Sequence, residues 1–141
     1  MQVRELMTTP VVRIHPEENA AVAARALEHY NIGFLPVCGS DGRVKGLVTD
    51  RDLVTRCLAA GKDPSKTTVD QVMTRQVVFV KPETELREAA QIMAGMQVRR
   101  LPVLENGRLS GILSLGDLAQ QPESGETAAK VLHEISSGVS G

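Results

Sequence analysis

The sequence predicts an α/β (α+β) fold: two pseudo-symmetric repeats, each a small β-sheet packed against two helices, together forming one compact module. Three observations predict it. The chain repeats itself. Shifting it by 66 residues lays Met7-Thr8 on Met73-Thr74, Val11-Val12 on Val77-Val78, Pro16-Glu17 on Pro82-Glu83 and Leu35-Pro36-Val37 on Leu101-Pro102-Val103. A one-residue deletion opposite Asp41 changes the offset to 65, and Gly42-Arg43 then meets Gly107-Arg108, Gly46 meets Gly111 and Asp52-Leu53 meets Asp117-Leu118. Between residues 3 and 53, 17 of 50 aligned positions are identical, where composition alone gives about three. Within each copy, short β-branched runs alternate with stretches of helical apolar spacing. Finally, 141 residues with 42% hydrophobic and 23% charged content suit one globular body with a real core. Two copies are too few for a solenoid, so a pseudo-symmetric pair is expected: repeat 1 over residues 3–60, a linker over 61–68, repeat 2 over 69–120 and a C-terminal extension over 121–141.

Each element has a local reason. Val3 to Met7 reads as a short helical turn. Val11 to Ile14 is a β-branched run stopped by Pro16. Asn19 to Tyr30 is a helix, with Ala20, Ala23, Ala24, Leu27 and Tyr30 at helical spacing. Ala21, Val22 and Ala26 widen its apolar surface, which predicts cover on two sides. Phe34 to Cys38 is a strand, Gly39-Ser40-Asp41-Gly42 a hairpin turn and Arg43 to Val48 the returning strand. Asp50 to Ala60 is a helix with Leu53, Val54, Cys57 and Leu58 on one face, ended by Gly61, Lys62, Asp63 and Pro64. The second copy follows: strand Val77 to Val80, helix Thr84 to Met96, strand Arg100 to Leu104, an Asn106-Gly107 turn suited to positive φ, strand Leu109 to Leu113 and a helix from Leu115 to Gln120. Glu126 to Ile135 reads as a C-terminal helix and Ser136 to Gly141 as a frayed tail.

Composition excludes several functions. A net charge of −1 provides no field for nucleic acid or anionic membrane as a primary partner. No apolar run approaches the roughly 18 to 20 residues of a membrane span, and MQVRELMTTP lacks the apolar region of a signal peptide. A cytoplasmic location is therefore expected. Cys38 and Cys57 form neither a disulfide framework nor a metal-ligand cluster. Tyr30, Phe34 and Phe79 are the aromatics, so the core must be aliphatic.

The motif that carries chemistry is GLVTDRDL, from Gly46 to Leu53, echoed as GILSLGDL from Gly111 to Leu118. Thr49 and Asp52 are three apart, as are Ser114 and Asp117. At a strand-to-helix junction, both side chains sit on the first helical turn beside unpaired N–H groups. Two readings follow. One is a capping box, with the hydroxyl at N-cap and the acid at N3. The other is a ligand site, in which the carboxylate accepts from sugar hydroxyls and the hydroxyl with free N–H groups meets a phosphate. The two can coexist.

With MT before a hydrophobic strand, Leu-Pro-Val opening the second strand and Gly-h-h-[Thr/Ser]-x-x-Asp-Leu in both copies (h is aliphatic), residues 3 to 119 resemble the tandem CBS-domain pair, or Bateman module. Nothing else is attached, so a stand-alone pair is expected. The resemblance implies a non-catalytic regulatory module that binds an adenosine-containing ligand (AMP, ADP, ATP or S-adenosylmethionine) in two clefts between the repeats. It also implies a homodimer in the form of a flat disc and an unnamed protein partner that reads ligand occupancy. In the family the aspartate contacts the ribose, a role that falls here on Asp52 and Asp117, with Thr49 and Ser114 beside them. Family geometry would bring Thr8, Thr9 and Val12 to the Asp117 site, and Thr74 and Val78 to the Asp52 site, with the apolar residues flanking adenine.

The two copies differ in charge. Arg51 offers a cation inside the first motif, but Asp50 would repel phosphate there. Leu115 and Gly116 carry no charge, so the second site would draw its cation from Arg99 or Arg100, unless these form a solvated pair. The matching first-copy positions are Gly33 and Phe34, where the ring would approach a base or belong to the core. The Asp117 cleft is accordingly expected to be the cleaner phosphate site. No cofactor, metal or catalytic residue is expected. His15, His29 and His133 lack ligand spacing, the cysteines show no paired basic environment and read as buried structural thiols, and Gly-rich phosphate loops are absent. The alternative from another class is a dimeric interaction or scaffold domain with empty clefts and no nucleotide ligand.

Overall fold

In the computed structural model, residues 1–9 and 11–120 are described; the expected helix from Glu126 to Ile135 and the expected tail lie outside them. The chain divides into two compact units. One is Val12–Val77, and the other joins Met1–Val11 to the described residues from Val78 to Gln120. These units exchange their leading segments relative to the sequence repeats: residues 1–9 belong with the second copy's hairpin, where Thr8 bridges Ile112, and residues 61–77 with the first's, where Thr74 bridges Leu47.

In the unit over Val12–Val77, helix α1 (Ala20–Tyr30) begins where the Asn19 side chain accepts a hydrogen bond from the Val22 N–H at 2.9 Å. It ends where Asn31 takes a left-handed conformation (φ 52°) and its N–H returns to Leu27 and Glu28. Strands β1 (Phe34–Cys38) and β2 (Val44–Thr49) form an antiparallel hairpin with a bulge at Val37/Cys38. A single-residue bridge flanks each side of it: Ile14 pairs in parallel with Val37, and Thr74 antiparallel with Leu47. Helix α2 (Asp50–Leu53) runs into a π-helical turn over Val54–Leu58, and α3 (Val69–Val72) follows. Ile14, Ala20, Ala23, Leu27, Leu35, Val37, Val48, Leu53, Cys57, Val69, Val72 and Met73 form the core.

The other unit repeats this plan. A 3-10 turn (Val3–Glu5), α4 (Leu86–Met96), β3 (Arg100–Glu105), β4 (Arg108–Ser114) and α5 (Leu115–Ala119) surround Val3, Ala89, Ala90, Met93, Leu101, Val103, Leu113 and Leu118. Val80 bridges Val103 in parallel and Thr8 bridges Ile112 antiparallel, so the flanking positions match Ile14 and Thr74 of the first unit. Asn106 and Gly107 both have positive φ (54° and 79°), the primed turn that suits the twist of a two-residue hairpin.

Three sequence expectations change. The strands expected at Val11–Ile14 and Val77–Val80 reduce to single bridges at Ile14 and Val80. Ile14 gives its N–H to Pro36 and accepts from Cys38, but Pro16 two residues later has no N–H to continue the ladder. Ala24 and Tyr30 of α1 are exposed rather than covered, so the buried stripe narrows to Ala20, Ala23 and Leu27. On the helix after β2, Leu53 and Cys57 are buried while Val54 and Leu58 are exposed. One residue step turns a helical side chain by about 100°, and the π turn does not bring the second pair back to the core.

Candidate functional site

The glycine of the repeated motif explains how the site is reached. A Cβ at Gly46 would lie 2.5 Å from the Thr74 carbonyl oxygen, and one at Gly111 would lie 2.8 Å from Met7 Sδ and 3.1 Å from the Thr8 carbonyl. The bare backbone lets the Met-Thr segment pair closely with β2 in one unit and β4 in the other. Leu47 N–H to Thr74 O is 2.9 Å, and Thr8 N–H to Ile112 O is 2.8 Å.

Both motifs are reciprocal capping boxes. The Asp52 N–H donates to Thr49 Oγ1 at 3.0 Å, and the Thr49 N–H donates to Asp52 Oδ2 at 3.0 Å. The Asp117 N–H donates to Ser114 Oγ at 3.1 Å, and the Ser114 N–H donates to Asp117 Oδ2 at 3.0 Å. The capping reading of the sequence is therefore correct in both copies, and what separates them is everything else around the carboxylate.

Asp52 is buried and heavily engaged. Thr74 Oγ1 donates to Oδ1 at 3.2 Å and to Oδ2 at 3.3 Å. Arg56 Nε stands 3.9 Å from Oδ1, while Arg56 Nη1 donates to the carbonyls of Met73 (2.8 Å) and Val72 (3.2 Å). Asp117 is half-buried, and its Oδ1 has no partner among the described residues. The residue aligned with Arg56 in the second copy is Gln121, which carries no charge.

The remaining candidates fall around these two carboxylates. Arg100 pairs directly across the hairpin with Ser114, and the Arg99 carbonyl accepts from the Leu115 N–H at 2.8 Å, so both exposed arginines flank the Ser114–Asp117 turn. Phe34 occupies the same register position opposite Thr49 and is half-buried, and Gly33 O accepts from the Asp50 N–H at 3.3 Å. Arg51 and Asp50 are exposed, and the Arg51 N–H bonds Asp50 Oδ1 at 2.8 Å. Thr8 and Thr9 are exposed and belong to the unit of Asp117; Thr74 belongs to that of Asp52. Val12 and Val78 each belong to the unit other than that of the aspartate they were expected to serve.

Sequence reasoning missed a groove. In the unit over Val12–Val77, a cavity of about 720 Å³ is lined by Arg56, Lys62, Asp70, Gln71, Met73, Thr74, Arg75 and Gln76. The available signal was Arg56, placed four residues after Asp52 on the same helical face. The cysteines are buried, and burial pushes the Cys38 thiol up from its ordinary value, against a smaller opposing pull from Arg13. Among the described residues, no group of three or more His, Cys, Asp or Glu side chains could hold a metal ion, and no helix is long and apolar enough to cross a membrane.

The comparisons agree with this architecture. The family model for the CBS domain matches residues 3–59 and 69–123. The chain is 40% identical over 134 residues to CBS domain-containing protein YhcV of Bacillus subtilis, covering 95% of this chain and 94% of that one. It superposes on Hypoxic Response Protein I, crystallised with two coordinated zinc ions, with a TM-score of 0.79 at 35% identity, covering 86% of this chain and 100% of that one. It superposes on the CBS domain pair of MJ0100, crystallised with 5′-methylthioadenosine and S-adenosyl-L-methionine, with a TM-score of 0.73 at 25% identity, covering 85% and 94%. With both repeats matched and relatives of this identity and coverage, the chain belongs to the CBS-domain family, as a tandem CBS pair.

Proposed function

We propose that this CBS pair is a non-catalytic regulatory module that binds an adenosine-containing ligand (AMP, ADP, ATP or S-adenosylmethionine) at Asp117 and signals its occupancy to a protein partner in the cytoplasm. The observation that carries the reading is Asp117 Oδ1, half-buried in the first turn of α5 and without a partner among the described residues. A ribose presents two hydroxyl donors, and a carboxylate oxygen is the acceptor that meets them, in charge-assisted bonds of about 1.5–3 kcal/mol each. A deoxyribose would leave an acceptor unmet. Arg99 and Arg100 beside Ser114 supply the cation for a phosphate. The adenosine compounds bound by the MJ0100 pair support the ligand class.

Asp52 serves the fold first in this reading, because Thr74 and Arg56 already occupy its oxygens. Signalling follows from linkage: a ligand shifts only an equilibrium between states that it binds unequally. The exposed apolar residues Tyr30, Val54 and Leu58 support association of two copies, and sedimentation at micromolar concentration tests it, with a monomeric mass counting against it.

The test of the ligand is calorimetric titration of AMP, ATP and S-adenosylmethionine into protein cleared of co-purified small molecules. At least one should bind the unaltered chain and bind Asp117→Ala at least tenfold more weakly. No heat and no thermal shift with any of them would overturn the reading.

A further inference from the structure

Met7 and Met73 hold the same place in the two units. Each precedes the threonine that pairs with the returning strand of its hairpin, Thr8 with Ile112 and Thr74 with Leu47. Each lays its thioether on a motif glycine: a Cβ at Gly111 would lie 2.8 Å from Met7 Sδ, and one at Gly46 would lie 3.0 Å from Met73 Sδ. The contact is the same, but access to it differs. Met73 is 4% exposed and part of the core of its unit, whereas Met7 is only half-buried where it packs against the core of its own. Met93 is fully buried, and Met1 and Met96 are exposed. Of the five methionines in the chain, Met7 alone combines solvent access with packing on a motif glycine.

A thioether is apolar, and its sulfur is nucleophilic. With hydrogen peroxide, the sulfur lone pair attacks one oxygen and forms an S–O bond while the O–O bond breaks. The other oxygen leaves as hydroxide and takes the proton of the transferred hydroxyl, giving water. Sulfur is oxidised by two electrons, peroxide is reduced, and the product is a polar, chiral sulfoxide. That product does not suit the joint at Gly111. The point that a Cβ would occupy there already has Met7 Sδ, Met7 Cγ (3.0 Å) and the Thr8 carbonyl oxygen (3.1 Å) around it. A sulfoxide oxygen turned inward would crowd that carbonyl oxygen, and buried without a donor it would cost free energy. Turned towards water, it draws the side chain off the strand. The next residue, Thr8, exchanges two backbone bonds with Ile112, at 2.8 and 3.1 Å. They hold the leading segment to β4, the strand that ends at Ser114, the N-cap of α5.

We propose that Met7 is a site of reversible oxidation by peroxides, and that its sulfoxide loosens the pairing of Thr8 with β4. Methionine sulfoxide reductases return the thioether. The unit over Val12–Val77 carries the same joint closed to the oxidant, because Met73 is buried. No ligand takes part, so the outcome is separate from the adenosine titrations.

The experiment treats the full chain with hydrogen peroxide and follows sulfoxide at each methionine by peptide mass. Met1 and Met96 should oxidise first. Met7 should follow, about tenfold or more faster than Met73 and Met93. The melting temperature should fall by about 4 °C in step with oxidation of Met7, and the amides of Thr8 and Ile112 should exchange hydrogen faster. Met7→Leu keeps the apolar volume, and peroxide should leave its melting curve and its Ile112 exchange unchanged although Met1 and Met96 still oxidise. Methionine sulfoxide reductases should restore the unaltered chain. Oxidation of Met7 no faster than that of Met73, an equal loss of stability in Met7→Leu, or unchanged exchange at Thr8 and Ile112 once Met7 is oxidised would overturn the proposal.

Discussion

Thr74 Oγ1 bridges both carboxylate oxygens of Asp52, at 3.2 and 3.3 Å, across 22 residues of sequence. Thr8, the matching residue of the second copy, makes no side-chain bond to Asp117 among the described residues. Replacing Thr74 by Val keeps the shape and removes the donor from a buried carboxylate. Thr74→Val should therefore destabilise the protein by about 1–2 kcal/mol in urea unfolding, and Thr8→Val by less than about 0.5 kcal/mol.

The two motif glycines should not tolerate alanine equally. At Gly46 the new Cβ meets a backbone oxygen at 2.5 Å, and a strand must move. At Gly111 the nearest atom, at 2.8 Å, is the Sδ of the flexible Met7 side chain, with the Thr8 carbonyl at 3.1 Å. Gly46→Ala should cost about 1–3 kcal/mol, the usual range for overpacking, and Gly111→Ala less. Thermal denaturation of the two variants ranks them, and an equal or reversed order would contradict the geometry.

The aspartates should separate by phenotype. Asp52→Ala removes the acceptor of Thr49 N–H and Thr74 Oγ1 and the carboxylate facing Arg56. Its main effect should be on stability, about 2–4 kcal/mol, as expected for a broken buried network. Asp117→Ala loses one cap bond, about 1 kcal/mol, and its larger effect should fall on adenosine-ligand affinity. Urea unfolding and calorimetry on both variants check the contrast.

Burial raises the Cys38 pKa, so the folded state favours the neutral thiol. The sign follows from linkage. This contribution to stability is complete below the unfolded thiol's pKa and is lost as pH rises through the higher folded value. Native protein at pH 8 should react with a thiol reagent far more slowly than urea-unfolded protein, which should expose both cysteines. Rapid native labelling of Cys38, located by peptide mass, would contradict its burial.

Much of the fold was legible because its signals are local. Asn19, Thr49 and Ser114 cap helices with their own side chains, and Asn106-Gly107 adopts the positive φ values that the dipeptide favours. The strand Phe34–Cys38 matches the expected bounds, since Leu35, Pro36, Val37 and Cys38 are all buried and read as one apolar run. The expected strands at Val11–Ile14 and Val77–Val80 failed because β-branched content marks a residue fit for a sheet, whereas pairing depends on a neighbour elsewhere in the chain. Tyr30, Val54 and Leu58 failed as core residues for the same kind of reason: helical spacing finds an apolar face, and packing decides which part of it is covered.

The sequence by itself determined the duplication, the order of the elements and the hydroxyl–aspartate pair at each strand-to-helix junction, because these rest on residues within a few positions of one another. It also showed that the copies differ in charge. Only the tertiary structure decided which aspartate is engaged. Asp52 is held by Thr74, and Arg56 is anchored on the carbonyls of Val72 and Met73, partners 16 to 22 residues away. A carboxylate has a fixed number of lone pairs. Whether one remains for a ligand depends on what the folded chain brings to it, and among the described residues Asp117 Oδ1 has no partner where both oxygens of Asp52 are engaged.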